Sequence, residues 1–400
     1  MFRILFFLLF IGSFLRLNAQ KEILFKGKCQ STNYLTSVPY VLKNYKIIFP
    51  VVINGKTYNF LFDTGAPNMI SDKIIDEIPH KKLKDINVND VNDDKQKMKL
   101  VSVKELQIGE AVFKNQTAIL TDESSNFVFD CFQIDGIIGS NLLRDCIVKM
   151  DNEKKELIFT DQIEKLNFPS DLKADPMYFR DGQGSPFIEI KLQGDNGKIG
   201  NEYCLFDSGM GDLYDLSLDN FMVYQKDSLF QNVKNSMGST SIGLFARSNA
   251  LEEYRVFVSE MDLGHKRVKN ITTITTVSTH SRIGAEFLDH ANITLDYLNK
   301  NFYFEWRSET PDLNEKAYEF NATLLDGRMA IGSVWDMELK NQIEYGDFIL
   351  EFNELILSEI NLCDLITQES IFTKYNTAHL KIEKKDGEII ELDLEKKFLK

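Results

Sequence analysis

The sequence predicts a mainly β fold made of two copies of one unit, with a small α+β segment after them. Three observations lead there. First, an apolar run ending in an acid and a glycine occurs twice, as Tyr58-Asn59-Phe60-Leu61-Phe62-Asp63-Thr64-Gly65 and as Tyr203-Cys204-Leu205-Phe206-Asp207-Ser208-Gly209. Second, an Ile-Gly segment also occurs twice, as Ile137-Ile138-Gly139 and Arg282-Ile283-Gly284, at nearly the same offset. Third, each Ile-Gly segment is followed by a hairpin pattern, Ile147 to Asp151 with Leu157 to Phe159, and Ile293 to Asp296 with Phe302 to Phe304. Leu106-Gln107-Ile108-Gly109 and Met261-Asp262-Leu263-Gly264 match between them. One Asp-Thr-Gly alone is a polar turn closing a strand. Ordered matches at constant spacing are an internal duplication, which has to be read before the fold.

Taken in order, residues 1–19 carry Arg3, an apolar run from Ile4 to Leu15 and the small residue Ala19, the pattern of a secretory signal peptide. The run is too short for a comfortable membrane span, so an exported protein without a stable membrane anchor is expected. Residues 22–45 read as leading strands. Ile47 to Ile53 alternates around Pro50, and Asn54-Gly55 turns it into the strand that ends at Asp63. Ser71 to Ile78 has helical spacing. Residues 84–98 are charged and turn-rich, and Val101 to Leu120 supplies two more strands. The second copy opens near Pro186, turns at Gly194-Asp195-Asn196-Gly197, and has a Gly/Ser-rich stretch from Met237 to Phe245. Residues 307–316 are polar, contain Pro311 and read as a linker. The boundaries are therefore 1–19, 20–165, 166–306 and 307–400.

Composition narrows the function. With 43% hydrophobic residues the chain can build real cores, and its net charge of −14 argues against nucleic acid or anionic membrane surfaces as partners. Five cysteines are too few and scattered for a disulfide scaffold. Cys131 and Cys146 flank the first Ile-Gly segment and could be bridged in an oxidising compartment. Cys204 reads as buried and free. The five histidines show no metal-ligand spacing, so neither a metal nor another cofactor is expected.

The repeat supplies two acids at equivalent positions, and a fold that brings the copies together could use them as a pair. Two carboxylates held about 3 Å apart cannot both ionise easily and share a proton. The ionised one takes a proton from a water between them, and the protonated one donates to a substrate carbonyl. No covalent intermediate is needed. Gly65 and Gly209 let the backbone turn tightly at each acid.

At these residues the chain resembles the retropepsin-like aspartic protease family, in the tandem-lobe arrangement of exported bacterial members. The resemblance covers roughly residues 40–306. It implies two tandem retropepsin/pepsin-like β-barrel lobes with Asp63 and Asp207 as the catalytic pair. The Thr64 and Ser208 hydroxyls would bond across the two loops. Gly139 and Gly284 would let a strand pass behind each loop. Residues 84–98 match a substrate-covering flap by position, beside the plainer reading of a solvated hairpin tip, and Met237 to Phe245 is a flap or a plain loop. Three residues depart from the pattern. Arg282 stands where an apolar residue is usual, and must be exposed or paired. Met210 and Asp212 follow the second acid loop where smaller or apolar residues are usual, and an acid near the pair would raise its pKa values.

Residues after 316 resemble a bacterial PDZ domain. Phe320 to Leu324, Arg328 to Trp335, a helical stretch at Glu338 to Ile343, Tyr345 to Asn353 with its Gly346-Asp347, a helix from Asn361 to Thr373, and strands at His379 to Ile382 and Ile389 to Leu394 follow in the family's order. The resemblance implies that an extended peptide adds beside 320–325, held at Tyr318, Glu319 and Phe320. The usual glycines are missing there, and Glu319 would repel a terminal carboxylate. A packing or regulatory role stands beside peptide capture. Three readings remain open: a monomeric, periplasmic or secreted aspartic endopeptidase acting on a peptide or protein substrate, a catalytically weak or inactive peptide-binding protein, and a protease so narrow that generic substrates show nothing.

Overall fold

The computed structural model describes residues 23–89, 95–121, 126–239, 250–307 and 310–398. The expected leader, the tip of the first charged hairpin and most of the Gly/Ser-rich stretch lie outside them. The fold is mainly β. In the first half, Lys46–Ile53 pairs antiparallel with Lys56–Asp63. The turn between them has Asn54 at φ 53° and Gly55 at φ 76°, the doubly positive conformation that suits Asn-Gly and matches strand twist. Phe60, Leu61 and Phe62 are all buried, so this strand is covered on both faces.

The strand Gly136–Gly139 then inserts parallel to it, with Gly139 opposite Asp63, and antiparallel to Met69–Ile70. The second half repeats this. Pro186–Gln193 pairs with Ile199–Asp207, and Arg282–Gly284 runs parallel to the latter with Gly284 opposite Asp207. These strands belong to a nine-stranded and an eight-stranded sheet. A six-stranded sheet joins the halves in the order Ala174–Pro176, Asn301–Trp306, Ala291–Asp296, Ile147–Asp151, Glu156–Thr160, Leu35–Pro39. Its centre is the antiparallel pairing of Ile147–Asp151 with Ala291–Asp296, so each half contributes equivalent strands outward from one axis. One continuous apolar core, including Phe49, Phe62, Phe206 and Phe302, runs through both halves.

Of residues 84–98, the described ones, 84–89 and 95–98, lie in the antiparallel strands His80–Asn89 and Lys95–Ile108, with Asn87 in register with Lys97 and Asn89 with Lys95. Two expected helices are shortened for local reasons. Between Ser71 and Ile78 only Ile75–Glu77 is helical, as one 3-10 turn. Pro79 follows, and the residue before a proline is driven out of the helical region; Ile78 sits at φ −112°, ψ 139°. The stretch from Asn361 to Thr373 splits into Leu362–Thr367 and Ile371–Thr373, because Ser370 caps a new turn by accepting from the Phe372 amide.

The C-terminal sheet has the order Phe320–Leu325, Arg328–Val334, Phe348–Phe352, Thr377–Glu383, Ile389–Glu395, with its own apolar core. Tyr318 and Phe320 belong to that core. Glu319 is buried and forms ion pairs with Arg255 and, at 2.7 Å, with Lys234 of the second half. Its carboxylate therefore fastens this sheet to the hairpin Val233–Gly238/Leu251–Leu263, and it is already occupied where a peptide terminus was expected. Nearby, Ser239 N donates to Gly332 O at 3.1 Å, Val334 N to Ser236 Oγ at 2.9 Å, and Ser333 Oγ to Glu253 at 2.5 Å. A Cβ on Gly238 would lie 2.0 Å from Gly332 O, so the contact needs a glycine there.

The Cys131–Cys146 bridge that the sequence allowed is not formed. Cys131 is bonded to Cys363, 232 positions away, and Cys146 is a buried free thiol, as is Cys204. Cys131 lies on the helix Asn126–Phe132, which faces the helix Leu362–Thr367, whereas Cys146 points into the core. Peptide mapping without reductant should recover the 131–363 cross-link, with thiol counting in denaturant giving free cysteines at 29, 146 and 204. Separately, Glu319→Ala strands the buried Arg255 guanidinium. We expect a loss of about 3–5 kcal/mol in denaturant unfolding, and a loss below 1 kcal/mol would show that the pair does not anchor the sheet.

Candidate active site

Each acid sits where a buried strand ends against an inserted Ile-Gly strand. Gly139 and Gly284 are required by close approach. A Cβ on Gly139 would lie 2.2 Å from Ala66 O, and on Gly284 2.1 Å from Asp212 O. The first loop is laced by Gly139 N to Asn68 Oδ1 at 2.8 Å and Asn68 N to Asn141 Oδ1 at 2.7 Å. Gln183 Nε2 donates to Gly65 O at 2.6 Å. In the second half main chain replaces side chain at the glycine, with Gly284 N on Leu213 O, while Ala285 N on Met210 O repeats the bond of Ser140 N to Ala66 O. Met210 thus shapes its loop, while Asp212 is exposed beyond it.

The two loops are locked reciprocally. Thr64 N donates to Ser208 Oγ and Ser208 N to Thr64 Oγ1, both at 3.0 Å. The hydroxyls donate onward, Thr64 to Phe206 O at 2.6 Å and Ser208 to Phe62 O at 3.1 Å. Both residues are fully buried. This brings the carboxyls together. Asp63 Oδ1 accepts from Gly65 N at 2.9 Å and Asp207 Oδ1 from Gly209 N at 3.0 Å. A Cβ on Gly65 would lie 2.5 Å from the Asp207 carboxyl, and one on Gly209 2.3 Å from that of Asp63. Only glycine fits at either place.

Burial above all, then the charge of Asp207, pushes Asp63 up to about 7, against the opposing pull of Lys46 and the Gly65 amide. Two cations stand by. Arg282 is paired, not exposed: Nε donates to Asp215 Oδ2 at 2.9 Å and Nη1 to Asp207 Oδ2 at 3.3 Å. Burial lifts Asp215 to about 6 even against Arg282. Burial also opposes the Arg282 charge, but Asp215 and Asp207 hold it above its ordinary value. Lys46 donates to Gly209 O at 2.5 Å. Burial draws its ammonium below the usual range despite Asp207, Asp212 and Asp63 nearby. No motif marked Lys46, Asn68, Asn141 or Gln183, because each acts through the loop backbone or across the fold. Among the described residues no cluster of three or more His, Cys, Asp or Glu could hold a metal ion.

A cavity of about 490 Å³ opens beside this site, between the second half and the strand Phe320–Leu325, lined by Asp215, Arg282, Glu286, Arg255 and Asn321 among others. Burial, then the charges of Asp212 and Glu315, lifts Glu286 to about 7.

The pH dependence of stability has a definite sign. Asp63, Asp215 and Glu286 are all harder to ionise folded than unfolded. Each contributes stability that is complete below the ordinary carboxyl range near pH 4 and is lost as pH rises through about 6 to 7. Unfolding midpoints should fall across that window. Asp63→Asn should flatten the fall and gain on the order of 1–3 kcal/mol relative to the parent above about pH 7; an unchanged slope would show that Asp63 is not held protonated.

No curated protein matches the chain. Residues 49–142, which contain Asp63, Thr64, Gly65 and Gly139, match the family model of aspartyl proteases, and this points at family level to proteolytic hydrolysis.

Proposed function

We propose that the protein is an exported aspartic endopeptidase that hydrolyses peptide bonds with a water activated between Asp63 and Asp207, each delivered by one of two tandem lobes. The observation that carries this reading is the reciprocal bonding of Thr64 and Ser208, which leaves two carboxyls facing each other across paired glycine loops. A dyad sharing one proton can deprotonate water and protonate a carbonyl oxygen in one step. Because both acids come from one chain, a monomer completes the site. The apolar segment from Ile4 to Leu15 supports export to a periplasmic or extracellular space. The order of strands after residue 316 supports a PDZ-like unit. Its Glu319 anchor on the second hairpin favours a packing or regulatory role for it.

The test is cleavage of a diverse peptide library from acid to neutral pH by the mature protein, Asp63→Asn and Asp207→Asn. Each substitution should lower the rate at least about 10²–10⁴-fold. Cleavage that survives Asp207→Asn but not Asp63→Asn would point instead to a dimer of first lobes. No cleavage by the parent, with peptides still bound, would identify a peptide-holding protein.

A further inference from the structure

The duplicated walls behind the two acids differ at one register position. In the first half Ile137 stands beside Leu61 and opposite Met69, and all three are buried and apolar. In the second half the same position is Arg282, beside Leu205 and opposite Asp215. An ion pair has replaced an apolar contact in an otherwise repeated frame. The Arg282 side chain is 15% exposed. Asp215 holds it through Nε, Nη2 and the main-chain amide of Arg282, which leaves Nη1 directed at Asp207 Oδ2.

The charged and titratable groups around the dyad come from several elements. The strand Lys46–Ile53 presents Lys46, which bonds to the Gly209 carbonyl. The second acid loop presents Asp212, which is exposed. Tyr214–Ser217 presents Asp215, turned to Arg282. The segment after Ala291–Asp296 presents the buried Tyr297 hydroxyl, which feels the charge of Asp63. Among the described residues, only Arg282 makes an ion pair with a carboxyl of the dyad.

We propose that Arg282 is a positioning residue that holds Asp207 as the carboxylate and leaves the shared proton on Asp63, giving the two acids fixed and unequal roles. The proposal rests on the endopeptidase reading. A guanidinium against one of two like carboxyls favours the charged form of that one. The second charge is then disfavoured, in keeping with an Asp63 carboxyl lifted to about 7. In the first step Asp207 takes a proton from water as the water oxygen bonds to the scissile carbonyl carbon. Asp63 passes its proton to the carbonyl oxygen, giving a neutral gem-diol. In the second step the proton on Asp207 moves to the amide nitrogen, Asp63 regains one from a gem-diol hydroxyl, and the C–N bond breaks. Acid and amine leave with the dyad restored. The reaction therefore has a direction across the cleft that a symmetric pair lacks.

The test compares the parent with Arg282→Gln, Arg282→Lys and the double variant Arg282→Ile/Asp215→Met. The double variant copies the apolar wall of the first half and leaves no lone buried charge. Carboxyl carbon NMR on aspartate-labelled protein reads the dyad directly, with Asp63→Asn and Asp207→Asn as assignments. In the parent, the signal lost in Asp63→Asn should titrate near neutral pH, while the signal lost in Asp207→Asn stays at its carboxylate position over that range. In Arg282→Gln and in the double variant the two should move together, with the first ionisation of the dyad raised by about 1–3 pH units. Arg282→Lys should restore most of the parent pattern. Unchanged titration in the variants, or a neutral-range titration assigned to Asp207, overturns the proposal. The pH profile of kcat/KM separates the two readings. A parent that titrates as expected but cleaves nothing removes the endopeptidase reading and leaves the proton assignment standing. A parent that cleaves while all titrations coincide does the reverse.

Discussion

Two carboxyls repel once both are charged, so the backbone beneath them must be fixed more firmly than they push apart. Here that fixing is done by Thr64 and Ser208. Each hydroxyl accepts from the opposite loop's amide and donates to the carbonyl one residue before the opposite acid. Four buried hydrogen bonds thus set one geometry, and none can be lost without leaving a buried polar group unsatisfied. Most other features at the site follow. The acid strands must end at the same level, which the parallel Ile-Gly strands enforce by pairing Gly139 with Asp63 and Gly284 with Asp207. The halves must share an axis, which the central pairing in the six-stranded sheet provides.

Charge is balanced asymmetrically around this symmetric frame. Lys46 and Arg282 approach from the second acid's side, whereas on the first the Gly65 carbonyl is met by the neutral Gln183 amide and the wall position of Arg282 is filled by Ile137. An isolated buried guanidinium would be costly, and Asp215 removes most of that cost by holding it in a fixed plane. The result is a site whose fold is duplicated and whose electrostatics is not.

Much of this was legible in the sequence because the chemistry dictates residue type and spacing together. Asp63, Asp207, Gly139 and Gly284 repeat in register, and the structure puts all four at one place. Arg282 stood out as a departure, but its partner Asp215 did not, since the strand pairing that joins them is set by the second loop's insertion and not by any motif. Lys46 carried no signal at all; a lysine at the start of a strand is ordinary until the loop carbonyl it meets is known. Ser71 to Ile78 looked helical by spacing and lost to the proline after it. Cys131 was read against its neighbour in sequence because a partner 232 positions away leaves no trace in spacing. Glu319 was read as a ligand-facing residue, and burial against Arg255 depends on a surface that only the second half supplies.

The Cys131–Cys363 cross-link has a consequence for the order in which the chain is made. Cys131 leaves the ribosome long before its partner exists, while Cys146 follows it almost at once and is chemically competent to trap it. Oxidation at that stage would lock an incorrect loop around the first Ile-Gly strand. In the folded protein packing excludes that bond: Cys146 is fully enclosed in the core, with its Sγ turned to the Leu143 carbonyl. A chain whose first half closes over Cys146 before it is oxidised keeps Cys131 available for Cys363, so under oxidising conditions the correct bond depends on folding preceding oxidation.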